Sequence, residues 1–175
     1  MAFILRLKNW QLFLIILLLP WILAIGLNMI FDFKSYSDDI TMGIFTIIYY
    51  TIFMIWNYKV IRTFNKRELI LKPKQLKRLD WLLIILCIYA IYLILPIEMR
   101  INGNLLMKIL SPIVMLISAY AIVFVVFCTA KTLKGLQLKN QLRTADVIVE
   151  MFVIFYFPIG VWWLQKKVNR FLIEK

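Results

Sequence analysis

Four long apolar runs, residues 10–31, 40–58, 81–97 and 105–130, limit what this chain can fold into more than any other feature. About twenty apolar residues make a helix long enough to cross a hydrocarbon core of about 30 Å. A soluble domain of 175 residues has no use for a 63% apolar composition,. The expected fold class is an all-α integral membrane protein. It has four transmembrane helices and a C-terminal re-entrant or interfacial amphipathic hairpin, all within one domain over residues 1–175. The first run, behind Arg6 and Lys8, has the start of a signal peptide. Its apolar stretch continues to Phe31, longer than a signal core, so an uncleaved span is expected.

The net charge of +12 is distributed unevenly. Residues 59–80 carry eight basic and two acidic side chains, and residues 131–143 carry four basic and none acidic. The two short connections between these regions are thinly charged. Cytoplasmic loops of membrane proteins collect Lys and Arg, so this charge calls for a cytoplasmic face rather than a nucleic-acid partner. Both termini are expected on that face.

The segment 146–164 decides the topology. As a straight fifth span it would carry four basic residues of the tail outward, dividing the basic residues 14 inside to 7 outside; as a dip and return it divides them 18 to 3. The stretch from Val147 to Phe157 is only about 16 Å of helix. Pro158 disfavours helix at Phe157, and Gly160 permits a sharp turn. Trp162 and Trp163 suit the headgroup level. In the tail 161–175, Val161, Leu164, Val168, Phe171 and Leu172 recur at helical spacing opposite Lys166, Lys167 and Arg170, the pattern of an interfacial helix. Dip and return is the expected path, and a tilted fifth span is the alternative.

Certain C-terminal residues form a pattern: Lys131–Lys134 (Lys-Thr-Leu-Lys), Asp146 and Glu150, Phe157–Trp162 (Phe-Pro-Ile-Gly-Val-Trp), Gln165 and Asn169. This pattern, about forty residues of the chain, resembles that of small uncharacterised multi-spanning bacterial membrane proteins. The resemblance implies a bacterial cytoplasmic (inner) membrane protein and implies no activity. Lys166 stands where the family pattern has proline, so the last helix is expected to continue without a break.

The sequence has no histidine. His-ligated haem, His-containing zinc sites and Ser-His-Asp catalysis are therefore excluded. No phosphate-binding glycine loop or nucleophile elbow occurs. No enzymatic activity, cofactor or metal is expected, and Asp38-Asp39 are expected to be solvated charge. Cys87 and Cys128 sit singly in apolar runs, where Cys serves as a small hydrophobe.

The remaining candidates are interaction or pore residues. Asp146 and Glu150, four apart, share a helix face. They are read as an interfacial helix start paired with Lys139 or Arg143, against a proton or ion relay. Ser111, Ser118 and Thr129 form one stripe with Val125, and Thr46, Tyr50, Phe53 and Asn57 another. Such stripes usually pack helix on helix, and several copies would be needed for them to line a pore. Asn28 is expected to bond between helices, Asn102-Gly103 to make a turn, and Glu98 with Arg100 to form an outer rim pair. Lys59, Arg62, Lys66 and Arg67 mark a basic surface helix stopped by Pro73, whose apolar face of Val60, Ile61, Phe64 and Leu71 would meet lipid.

Two functions follow as expectations. One is an accessory or regulatory subunit that meets a membrane or cytoplasmic protein partner, and anionic lipid headgroups, through its basic face. The other is a homo-oligomeric channel or membrane-perturbing effector, by analogy of size and layout with small proteins that accompany type VI CRISPR nucleases.

Overall fold

The structure is a computed structural model and describes residues 5, 7–31, 37–94, 105–138 and 144–173. Among them every regular element is helical: α1 (Asn9–Phe31), α2 (Ser37–Glu68), α3 (Pro73–Ile94), α4 (Leu105–Leu138), α5 (Thr144–Phe155) and α6 (Phe157–Ile173). Glu98, Arg100, Asn102, Gly103, Lys139 and Arg143 lie outside the described residues, as do the side chains of Asn28, Asp38 and Asp39. One described stretch, Ile109–Leu138 of α4, is long and apolar enough to cross a membrane.

Helix starts follow from local chemistry. At α1, Gln11 Oε1 accepts from the Lys8 amide at 2.8 Å, and at α3, Gln75 Oε1 accepts from the Lys72 amide at 3.1 Å. Each glutamine reaches back to the residue before its helix, as the third-turn-position partner of a capping box does. Pro73 is thus the first residue of α3, where its missing N–H costs nothing. It was expected only to stop the preceding helix.

The basic segment is not a separate surface helix. α2 runs unbroken to Glu68, because Lys, Arg and Glu are good helix formers,. It ends at Leu69, whose φ of 48° is the left-handed C-terminal position that glycine usually fills,. The side chain of Asn65 accepts from the Leu71 amide and fixes this turn. Leu69 is 81% exposed, so its side chain contributes little packing in return for the strain. Leu69→Gly is expected to raise stability by about 0.5–1 kcal/mol, read as a higher unfolding temperature in detergent.

α1 packs on α2 and α6, α2 on α3 and α4, α3 on α4, and α5 on α4 and α6. Trp56, Val60, Ile61, Phe64 and Leu71 of the α2 side and Val161, Leu164 and Val168 of α6 are all buried in one hydrophobic core, and Phe64 sets its ring edge-on to Phe171 of α6. The apolar faces of the basic segment and of α6 are therefore taken up by protein. This corrects the expectation that they lie on lipid: each amphipathic pattern was real, and its cover is another helix.

Candidate functional site

The chain reverses at Tyr156. The axes of Ala145–Phe155 and Gly160–Ile173 meet at 120°. Pro158 falls in the first turn of α6, where proline is tolerated, and α6 then continues through Lys166 to Ile173. Gly160 has no positive φ and is not the turn residue expected of it. Its role is close approach: a Cβ there would overlap the carbonyl oxygen of Val153, with the carbonyl carbon 2.8 Å away. Only glycine lets α6 fold back so tightly on α5.

Two polar groups hold the returned helix. The first centres on Gln165, which is 0% exposed. The Trp56 indole N–H donates to Gln165 Oε1 at 2.9 Å. Gln165 Nε2 donates to the carbonyls of Leu5 (2.8 Å) and Leu7 (3.0 Å) and to Asn169 Oδ1 (3.2 Å). Asn169 Nδ2 adds a bond to the Leu7 carbonyl at 3.2 Å. One side chain of α6 thereby ties the segment before α1 to the middle of α2. Arg67 Nη1 also donates to the Phe171 carbonyl at 3.1 Å, capping the last turn of α6 from the end of α2,.

The second group centres on Glu150, 2% exposed. Lys167 Nζ lies 2.9 and 3.2 Å from its two carboxylate oxygens, and Lys134 Nζ lies 3.9 Å away. A carboxylate this buried needs such partners. The ion group joins α4, α5 and α6. Among the described residues its partners are cations from two other helices; the expected partners Lys139 and Arg143 lie outside the described residues. Lys167 also stands 4.7 Å over the Trp163 ring. Glu150→Gln is expected to cost about 2 kcal/mol, below the 3–5 of a fully buried pair because both lysines reach solvent. Lys134→Met should cost less than half as much, both read from unfolding temperatures in detergent.

The other candidates divide clearly. Asp146 lies in the first turn of α5, half-buried, with no ion pair among the described residues. Asn57, Ser118 and Thr129 are buried within the bundle. Asn57 Nδ2 bonds the Phe53 carbonyl at 2.8 Å, and Thr129 Oγ1 bonds the Val125 carbonyl at 3.0 Å, each four residues back along its own helix. The Ser111 and Tyr92 hydroxyls share a bond of 2.6 Å between α4 and α3. Trp162 and Trp163 are exposed, and Trp162 also sets its edge against Phe13 at 5.5 Å.

Arg62 chelates Asp80 across the α2–α3 turn and stacks 5.4 Å over the Tyr58 ring. The hydrogen bond to Asp80 is the main cause that raises the guanidinium above its ordinary value. Lys59 is half-buried, and Lys66 and Arg67 are exposed. Gly135 near the end of α4 faces Ile70, whose methyl groups would stand 2.8 and 2.9 Å from an added Cβ. This contact, with the Arg67–Phe171 bond, brings the ends of α2, α4 and α6 and the start of α3 to one end of the molecule. There Lys66, Lys72, Lys74, Lys77, Lys166 and Arg170 are exposed and form no ion pair among the described residues.

The partners of Gln165 and Lys167 were missed from sequence. A glutamine and a lysine on an amphipathic helix carry no signal of what lies across from them, 160 residues away in the case of Leu5. Among the described residues no cluster of His, Cys, Asp or Glu is arranged to hold a metal ion. No protein-family model, curated protein or solved structure matches the chain.

Proposed function

We propose that the chain is a non-enzymatic polytopic protein of a bacterial cytoplasmic membrane, an accessory or regulatory subunit that meets its partner through the cationic end. In this reading α1 to α4 cross the bilayer, α5 enters it, α6 returns, and both termini remain in the cytoplasm. Exposure supports the membrane part of the reading because it is inverted. Ile22, Met115 and Leu116 are 62%, 66% and 71% exposed, while Asn57, Thr129 and Gln165 are 0% exposed. Water penalises an outer surface of this kind, and lipid tails do not.

The direction of the polar stripes favours an accessory role over a pore. A pore built from several copies lines its water path with polar groups on outward faces. Asn57, Ser118 and Thr129 instead face the chain's own packing. What the molecule displays is a set of exposed cations held by a rigid, hydrogen-bonded end.

Reconstitution into liposomes tests this. Vesicles carrying folded protein are expected to stay tight to ions. Flux that grows with protein and disappears in Ser118→Leu or Asn57→Leu would establish the channel reading instead. Replacing Lys66, Lys72, Lys74 and Lys77 together by Gln is expected to abolish recovery of a partner cross-linked in host membranes at an unchanged unfolding temperature. Unchanged recovery would count against the accessory mechanism.

A further inference from the structure

Between α2 and α3 runs a groove of about 220 Å³, open to the outside of the bundle. Thr51, Ile55 and Tyr58 wall one side, and Leu83, Cys87 and Ala90 the other. Its volume falls below the roughly 300–1,000 Å³ of compact small-molecule sites. From Tyr50 to Tyr58 it follows about 12 Å of helix,. A narrow, open, apolar trough of this length suits one extended hydrocarbon chain.

The two ends of the groove differ in charge. Residues 44–58 of α2 and 81–94 of α3 contain no ionisable acid or base stronger than tyrosine or cysteine, so these two walls bring no charge to the end at Ala90. At the near end Arg62 covers the Tyr58 ring and joins Asp80, one turn before Leu83. Lys59 follows Tyr58 directly, and Lys77 lies one turn before Asp80 and is exposed. By position on the two helices, three cations and one carboxylate thus flank this end. Trp81, 62% exposed, stands at the same level, where indole rings favour the bilayer interface,.

We infer that this groove binds one acyl chain of an anionic phospholipid, with the lipid phosphate held at the rim by Lys59, Arg62 and Lys77. The apolar trough supplies the affinity for the tail. The excess positive charge supplies the preference for an anionic headgroup, as basic pockets between spans do on the cytoplasmic side. Free phosphate lacks the tail, and a zwitterionic lipid lacks the net charge, so neither satisfies both halves of the site. The inference rests on the membrane reading above.

The test is native mass spectrometry of the full chain released from micelles doped with phosphatidylglycerol or phosphatidylcholine. The chain is expected to retain phosphatidylglycerol at least fivefold more than phosphatidylcholine, and to retain no inorganic phosphate. Thr51→Phe and Ala90→Phe, which fill the trough from opposite walls, are each expected to lower retention of phosphatidylglycerol at least fivefold. Lys59→Gln with Lys77→Gln is expected to leave total lipid retention in place and remove the preference. Equal retention of the two lipids, or full retention in both Phe variants with unchanged helicity, would overturn the inference. Carbonate extraction of the wild-type chain from membranes separates the two readings. Release into the supernatant defeats the membrane reading itself, whereas an integral chain without lipid preference defeats only this site.

Discussion

Gly160→Ala is expected to detach α6 from α5 and to be among the most damaging single-methyl additions in the chain. The added Cβ meets a backbone carbonyl, that of Val153, rather than the end of a flexible side chain. A backbone cannot step aside as a rotamer does, so the two helices must separate. Overpacking of this kind costs about 1–3 kcal/mol, and the upper end applies where backbone is the obstacle. At about 2–4 °C per kcal/mol for a chain of this size, the unfolding temperature should fall by roughly 6–12 °C. Gly135→Ala is the matched control, because the nearest atoms to its Cβ all belong to the Ile70 side chain. Its loss should be under half as large. Equal losses at the two positions would show that the tight return at Gly160 has no special place in the fold.

Gln165→Leu is the second large effect. The substitution keeps the volume nearly constant but removes the acceptor of the Trp56 indole and the donor to the carbonyls of Leu5 and Leu7. Those groups sit where water is excluded, Trp56 and Leu5 both being 0% exposed. Each buried group left without a partner costs about 1–3 kcal/mol. Asn169 still serves the Leu7 carbonyl, so the total expected is about 3 kcal/mol,. Trp56→Phe removes one donor and leaves Gln165 its other bonds, so it should cost less. The double variant should cost less than the sum of the two, by about 1 kcal/mol, since both delete the same bond. Strict additivity would show that the Trp56–Gln165 bond contributes nothing. Reduced protection of the chain at Leu5 and Leu7 from proteolysis should accompany Gln165→Leu, because this amide donates to both of their carbonyls.

Much of the helical framework was legible. Each apolar run falls within or overlaps a described helix, and the break at Tyr156 lies beside Pro158 and Gly160. Periodicity also found the buried faces of the basic segment and of α6. What it could not say was what covers them. Phe64 and Val168 repeat at helical spacing whether the cover is lipid or another helix, and only the fold-back of α6 selects protein. The function of single residues was less legible for the same reason. Pro73 was read as a stop because a proline ends what precedes it, although it equally begins α3. Gly160 was read as a turn because its need for close approach depends on Val153, seven residues earlier in the other helix. Glu150 also meets Lys134 and Lys167, and a pairing of that range has no signature in the sequence, which displays only local ion pairs.

These corrections point the same way. Gln165 and Glu150, which a sequence offers as chemistry, tie helices together, and Asn57 and Thr129 are buried against their own helix backbones. The exposed cations of the α2–α3 turn and α6 are the surface that the proposed function assigns to a partner. The proposed topology requires α6 to return to the side from which α5 enters. Membrane-impermeant maleimide labelling tests this on Lys72→Cys and Ile173→Cys, each in a Cys87→Ala background. Both thiols should be protected in intact spheroplasts and labelled in inverted vesicles. Labelling of Ile173→Cys from the outside, with Lys72→Cys protected, would show a straight fifth span and contradict the account.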